Sequence, residues 1–149
     1  MKNAIIPGSY DPVTAGHYDL VRRAAEIFDR VTVVVSDNGE KHMMFDADER
    51  TRRCREAFAC LKNVEVIRSS ELVADIAAET GSVIVKGARN GTDFDYEYML
   101  AHINSELAGV ETLVLPASAE YAHISSTLVR DLIRHGADAS KYLPEATKK

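Results

Sequence analysis

Cysteine is scarce: Cys54 and Cys60 are the only two in 149 residues. Six apart on one helix, they point to different faces and cannot pair locally. Neither stands in a metal-ligand spacing, and a chain of this length can bury a core without disulfide or metal staples. No run of eighteen apolar residues occurs, so no membrane-spanning helix is expected. The opening Met1-Lys2-Asn3-Ala4-Ile5-Ile6-Pro7-Gly8 lacks the long apolar stretch and small-residue cleavage site of a signal peptide, so a cytoplasmic location is expected. Basic residues are also short: 18 Lys and Arg against 23 Asp and Glu give a net charge of −5. That disfavours a grip on polymeric nucleic acid by phosphate neutralisation. It leaves room for a small phosphorylated ligand, which needs only a few well-placed cations. Both common phosphate loops are missing, since neither G-x-x-x-x-G-K-[ST] nor G-x-G-x-x-G occurs.

Apolar runs and helical stripes alternate from end to end. Ala4–Ile6, Val31–Val35, Val64–Ile67, Val83–Val85 and Thr112–Leu115 read as five strands, the second a β-branched run of the fully buried kind. A helix with Leu20, Val21, Ala24 and Phe28 on one face follows the first strand. Asp46, with Glu49 as reciprocal partner, predicts a capped helix to about Leu61, on which Cys54 shares an apolar stripe with Ala57, Phe58 and Leu61. Helices are expected at Leu72–Thr80, stopped by Gly81; at Phe94–Leu107, stopped near Gly109; and at Ser126–His135, stopped by Gly136. Strand–helix alternation predicts right-handed crossovers. The expected fold is therefore α/β, a Rossmann-like doubly wound sheet of about five parallel strands with helices on both faces, in one domain over residues 1–149. Ligands in such folds lie beyond the carboxyl ends of the strands.

Chemistry is therefore sought just after each strand. The first is followed by Pro7-Gly8-Ser9-Tyr10-Asp11-Pro12-Val13-Thr14-Ala15-Gly16-His17, a turn leading into a helix. Thr14 or Asp11 is the candidate cap, and His17 stands three and four residues before the inward Leu20 and Val21. A helix N-terminus offers free N–H groups and a positive dipole end to phosphate. Lys41 follows the second strand in a polar loop. Lys86-Gly87-Ala88-Arg89 follows the fourth and combines two cations with a glycine that permits close approach of a ligand. The last helix opens at Ser125-Ser126-Thr127, where a serine serves as cap and the hydroxyls and amides suit a polyphosphate.

Taken together, these segments resemble the bacterial phosphopantetheine adenylyltransferase family of the nucleotidylyltransferase superfamily. Pro7–His17 is similar to its opening T/H-x-G-H signature, and Ile124-Ser125-Ser126-Thr127-Leu128-Val129-Arg130 to its I-S-S-T-x-x-R signature. Lys41, Phe45 with Glu49-Arg50, Gly87-Ala88-Arg89, Asp93-Phe94-Asp95-Tyr96-Glu97 and Tyr142-Leu143-Pro144-Glu145 match in order, so the similarity covers essentially the whole chain.

The resemblance implies transfer of the adenylyl group of ATP to 4′-phosphopantetheine, with Mg²⁺ accompanying ATP, in a homo-oligomer that is hexameric in the family. His17 and Lys41 are the implied catalytic groups. Ser9, Tyr10, His17, Gly87, Ala88, Arg89, Glu97 and the run Tyr121, Ala122, His123, Ile124, Ser125, Ser126 and Thr127 are the implied ATP site. Ser9, Lys41, Val73 and Lys86 are the implied acceptor site, and no protein residue is expected to ligate a metal. Lys86 departs from the family's usual arginine, losing a two-pronged grip while keeping the charge. Thr14 stands where many nucleotidyltransferases carry histidine, which weighs against the related alternatives, adenylyl transfer to nicotinamide mononucleotide and cytidylyl transfer to a small alcohol phosphate. A non-catalytic sensor of ATP or coenzyme A is the alternative of another class.

Overall fold

The computed structural model describes residues 1–39 and 42–148. Strands β1 (Asn3–Gly8), β2 (Arg30–Ser36), β3 (Val64–Ser69), β4 (Ser82–Ala88) and β5 (Thr112–Pro116) form one parallel sheet in the order β3-β2-β1-β4-β5. Around it lie α1 (Ala15–Ile27), α2 (Ala47–Phe58), α3 (Val73–Thr80), α4 (Gly91–Ala108) and α5 (Ser126–Arg134).

The period of two along each strand divides the core. Ala4, Ile6, Val31, Val33, Val35 and Val85 pack with Val21, Ala24 and Phe28 of the α1 region and with Cys54, Ala57 and Phe58 of α2. Ile5, Val34 and Ile84 face the other way, against Ala74, Ile76 and Ala77 of α3. Valines on both faces explain why β2 reads as an unbroken apolar run. Each buried valine contributes roughly 1.5–3 kcal/mol. Cys54 is a core residue, and burial pushes its thiol up to about 12 although Arg50 pulls it the other way.

Several boundaries differ from the sequence expectation. Helix α2 ends at Phe58 rather than Leu61, α4 begins three residues early at Gly91 with Asn90 as its cap, and α5 ends at Arg134. Asp46 caps α2 by accepting the Glu49 amide, but the Glu49 carboxylate turns to Arg52 and Arg53 and no reciprocal box closes. Lys86, Gly87 and Ala88, expected in a loop, are the last residues of β4, held there by pairing with Val114, Leu115 and Pro116.

That last difference opens the site. β1 pairs with β4 only from Asn3 to Ile5, opposite Ser82 to Ile84. Beyond this, β1 continues beside β2 to Gly8 and β4 beside β5 to Ala88. The two central strands therefore part at their carboxyl ends. They do so where the chain order switches direction across the sheet, the place such folds use for ligands.

Candidate active site

Two cavities share the gap between β1 and β4. One, of about 370 Å³, is lined by residues that include His17, Gly87, Ala88, Arg89, Tyr121 and Thr127. The other, of about 740 Å³, includes Ser9, Ser36, Met43, Val73, Leu100 and Asn104. Pro7, Gly8, Lys86 and Glu97 border both.

His17 is the third residue of α1 and closes its cap. Thr14 Oγ1 accepts the His17 amide at 3.3 Å, while His17 Nδ1 accepts the Thr14 amide at 3.0 Å. A ring nitrogen that accepts an N–H carries no proton, so in the neutral ring the proton sits on Nε2. Burial, then the charges of Arg89 and Lys86, lower its pKa from the usual 6.5 to about 4. At neutral pH the ring is thus an uncharged Nε2–H donor on the cavity wall. The expected cap, Thr14, and the expected functional residue, His17, turn out to be one device.

Tyr10 lies beneath that ring, with centroids 4.8 Å apart. Its hydroxyl donates to Ile6 O at 2.8 Å in the core, so only the ring face reaches the cavity. The backbone at Tyr10 is left-handed, with φ of 50°.

Both cations at the end of β4 rest on carboxylates of α4. Lys86 Nζ meets Glu97 Oε2 at 2.9 Å, and Arg89 Nε meets Asp93 Oδ2 at 2.9 Å. Burial alone would push the Asp93 carboxyl up, but hydrogen bonds and charge from Arg89 outweigh it and hold it below the usual range. Glu97 Oε1 is buried and has no hydrogen-bond partner among the described residues. Gly87 serves packing as well as access: a Cβ there would come 3.2 Å from Leu20 Cδ2.

The start of α5 forms the far wall. Ser125 caps it by accepting the Leu128 amide, Ser126 Oγ donates to Pro12 O at 2.9 Å, and Thr127 Oγ1 accepts from Arg130. The three hydroxyls thus have internal partners, and what this helix end retains for an anion is its first-turn amides. Ser125, Ser126, Thr127, Ile124 and Tyr121 line the smaller cavity, whereas Ala122 and His123 line neither; the His123 ring is exposed, 6.1 Å from that of Tyr142. Ser9, Val73 and Lys86 gather at the larger cavity. Lys41 lies outside the described residues.

Sequence reasoning passed over two internal ties. Asp19 is buried on α1, accepts Ser118 Oγ at 2.7 Å and pairs with Arg22 and Arg23, tying the loop after β5 to α1. Asp11 and Arg50 tie the ends of β1 and β2 to the loop before α2. Each was legible only as a charged residue at a position the apolar pattern makes inward.

Comparison with known proteins places this arrangement. The cytidylyltransferase-like family model matches residues 5–132. The phosphopantetheine adenylyltransferase of Pseudarthrobacter chlorophenolicus is 44% identical over 98% of this chain and 89% of its own length. That of Flavobacterium psychrophilum is 40% identical over 99% of both chains. A crystal structure of a putative nicotinate-nucleotide adenylyltransferase from Vibrio parahaemolyticus superposes with a TM-score of 0.71 over 99% of this chain and 97% of that one; at 20% identity it supports the fold alone. By the family model and by these full-length relatives, the chain belongs to the cytidylyltransferase-like family and, within it, to the phosphopantetheine adenylyltransferases.

Proposed function

We propose that the chain transfers the adenylyl group of ATP to the phosphate of 4′-phosphopantetheine, giving dephospho-coenzyme A and pyrophosphate in coenzyme A biosynthesis. The observation that carries this reading is the pair of cavities meeting at Lys86 and Glu97 over the parted ends of β1 and β4. One suits a nucleotide whose phosphates run along His17, Arg89 and the first turn of α5. The other suits a longer acceptor whose phosphate lies near Ser9 and Lys86, with Lys41 assigned to it by resemblance.

In this reading an acceptor phosphate oxygen attacks the α-phosphorus in line. The bond from that phosphorus to the α–β bridging oxygen breaks, and pyrophosphate leaves with the electron pair. No covalent intermediate on the protein is required. Catalysis then consists of holding two anions together and neutralising the charge that grows between them. His17 Nε2–H donates to an α-phosphate oxygen, and the Thr14 amide on Nδ1 keeps the neutral ring in that tautomer. Mg²⁺ enters as part of the ATP substrate, on phosphate oxygens and water. Among the described residues no cluster of three His, Cys, Asp or Glu side chains is built to hold a metal, and no step is assigned to a protein-bound ion.

A homo-oligomer, hexameric as the resemblance implies, belongs to the same proposal. Its support is α4, whose Tyr96, Tyr98, Met99 and Leu107 are each at least 50% exposed. Cytoplasmic residence is proposed because the reaction draws on ATP; no described helix is long and apolar enough to cross a membrane.

Pyrophosphate release from ATP and Mg²⁺, with each acceptor supplied in turn, tests the assignment. Turnover is expected with 4′-phosphopantetheine. Turnover with nicotinamide mononucleotide instead would reassign the acceptor, and ATP binding without turnover would make the chain a sensor.

A further inference from the structure

Arg50 is only 3% exposed, yet it lines neither cavity. It sits on the inward stripe of α2 with Thr51, Cys54, Ala57 and Phe58. Its guanidinium donates three hydrogen bonds, all to backbone carbonyls: Nε to Phe45 O at 3.0 Å, and Nη1 to both Ser9 O and Ser36 O at 2.8 Å. Those carbonyls come from the turn after β1, the carboxyl end of β2 and the loop before α2. Ser9, Ser36 and Met43, from these same three segments, border the larger cavity.

Asp11, 2% exposed, grips the same loop from the other side. Its Oδ2 accepts the Met44 amide and its Oδ1 the Phe45 amide, each at 2.9 Å. Phe45 is thus held by its N–H and its C=O at once, and the Arg53 guanidinium covers its ring at 4.2 Å. Among the described residues Arg50 makes no ion pair with a carboxylate, whereas Lys86 and Arg89 both do. A guanidinium stays charged at any working pH. Burying it without a counter-ion is costly, and neutral donors could tie carbonyls together at lower cost. Arg50 stands one carbonyl behind Ser9, and with the Asp11 carboxylate on the amides of the same loop it fixes the backbone that borders the adjoining cavity.

We propose that Arg50, with Asp11 as its partner, is a positioning residue for the acceptor phosphate, fixing the shape of the wall formed by Ser9, Ser36 and Met43. The inference rests on the transfer reaction proposed above and goes beyond it, since neither residue touches the cavity itself. Its signature is selectivity between substrates: disturbing the pair weakens acceptor use and leaves the nucleotide side nearly intact.

The test is steady-state kinetics on Arg50→Lys and Asp11→Asn, with thermal unfolding of each. Lysine keeps the charge but cannot reproduce the planar fork over three carbonyls. Asparagine can accept one amide of the loop but presents an NH₂ to the other. Each variant is expected to raise KM for 4′-phosphopantetheine about tenfold or more, the worth of one charge-assisted hydrogen bond, and KM for ATP less than about threefold. Equal shifts in both KM values would overturn the proposal, as would a lowered melting temperature with normal kinetics. Failure of both variants to fold would overturn it too, by making the pair a general structural support. Wild-type enzyme in the same assay separates the questions: no turnover with 4′-phosphopantetheine there refutes the reaction, whereas normal wild-type turnover with unselective variants refutes only the role of Arg50.

Discussion

Replacing His17 by glutamine separates two tasks that one imidazole performs. Nδ1 closes the cap of α1 on the Thr14 amide, and the neutral ring leaves Nε2–H for the cavity. Glutamine is among the residues that ordinarily close such a box, so it restores the cap without restoring the ring donor. His17→Ala removes both and should destabilise the fold by about 1 kcal/mol, most of which the glutamine variant recovers. Turnover should fall about a hundredfold to a thousandfold in both, because one preorganised donor to a developing anion supplies roughly 3–4 kcal/mol. KM for ATP should move far less, since the interaction strengthens mainly in the transition state. Acid gives a second readout. With a folded pKa of about 4 against an ordinary 6.5, the unfolded chain takes up the proton first as pH falls. The stability tied to the neutral ring is therefore complete above 6.5 and lost between 6.5 and about 4. It amounts to at most about 3 kcal/mol, less because the ring is partly exposed. Pyrophosphate-release kinetics and urea unfolding from neutral pH to about 4 provide both measurements. A glutamine variant turning over within about threefold of wild type would refute the donor role. An acid-dependent loss of stability unchanged in that variant would refute the buried neutral ring.

Lys86→Arg should leave turnover intact and raise the melting temperature by about 2–4 °C, because a guanidinium can bond both Glu97 oxygens and supply the donor that Oε1 lacks. A lower melting temperature with poorer acceptor binding, read by calorimetric titration, would show that the cavity needs the slimmer ammonium. Ile103→Lys, at a position on α4 that is 42% exposed, should reduce the solution mass measured by light scattering while leaving the helical circular dichroism unchanged. An unaltered mass would place the subunit interface elsewhere or nowhere.

Parts of this molecule were legible in sequence because they are local and periodic. The Val31–Val35 run announced a strand buried on both faces, and the segments following each strand indicated where ligands belong. The misplaced features are those settled by partners distant in sequence. Asp46 and Glu49 have the spacing of a capping box, but Arg52 and Arg53, both one turn along the helix, compete for Glu49. The box that does form has histidine at its third position, outside the Glu/Gln pattern by which such boxes are recognised. Lys86-Gly87 has loop composition and becomes strand because β5 supplies a paired edge. Arg50 had one local sign, a cation four residues before Cys54 on an apolar stripe. Nothing in the sequence told which carbonyls it would collect, since two of them lie 41 and 14 residues away.

The charges of the site explain how a chain with a net charge of −5 can seat two phosphorylated substrates. In the free protein Lys86 and Arg89 rest on Glu97 and Asp93, neighbours one turn apart on α4, and His17 is neutral. These groups are close to balanced before any ligand arrives. In the proposed reaction a phosphate would bind by taking the carboxylates' place, and so would gain the difference between two ion pairs rather than the full attraction of a bare cation. In exchange the cations would already be held beside the ligand, and less side-chain entropy would be lost on binding. The arrangement also discriminates: a neutral analogue offers nothing to replace Asp93 or Glu97, and pulling a cation away from either would leave a carboxylate uncompensated. Arg50 differs from both because its hydrogen bonds all go to carbonyls, and the buried Asp11 carboxylate holds the amides of the same loop rather than the guanidinium itself. In the proposed reaction the balanced pairs would select for anions, while Arg50 and Asp11 would hold the acceptor-side wall in shape.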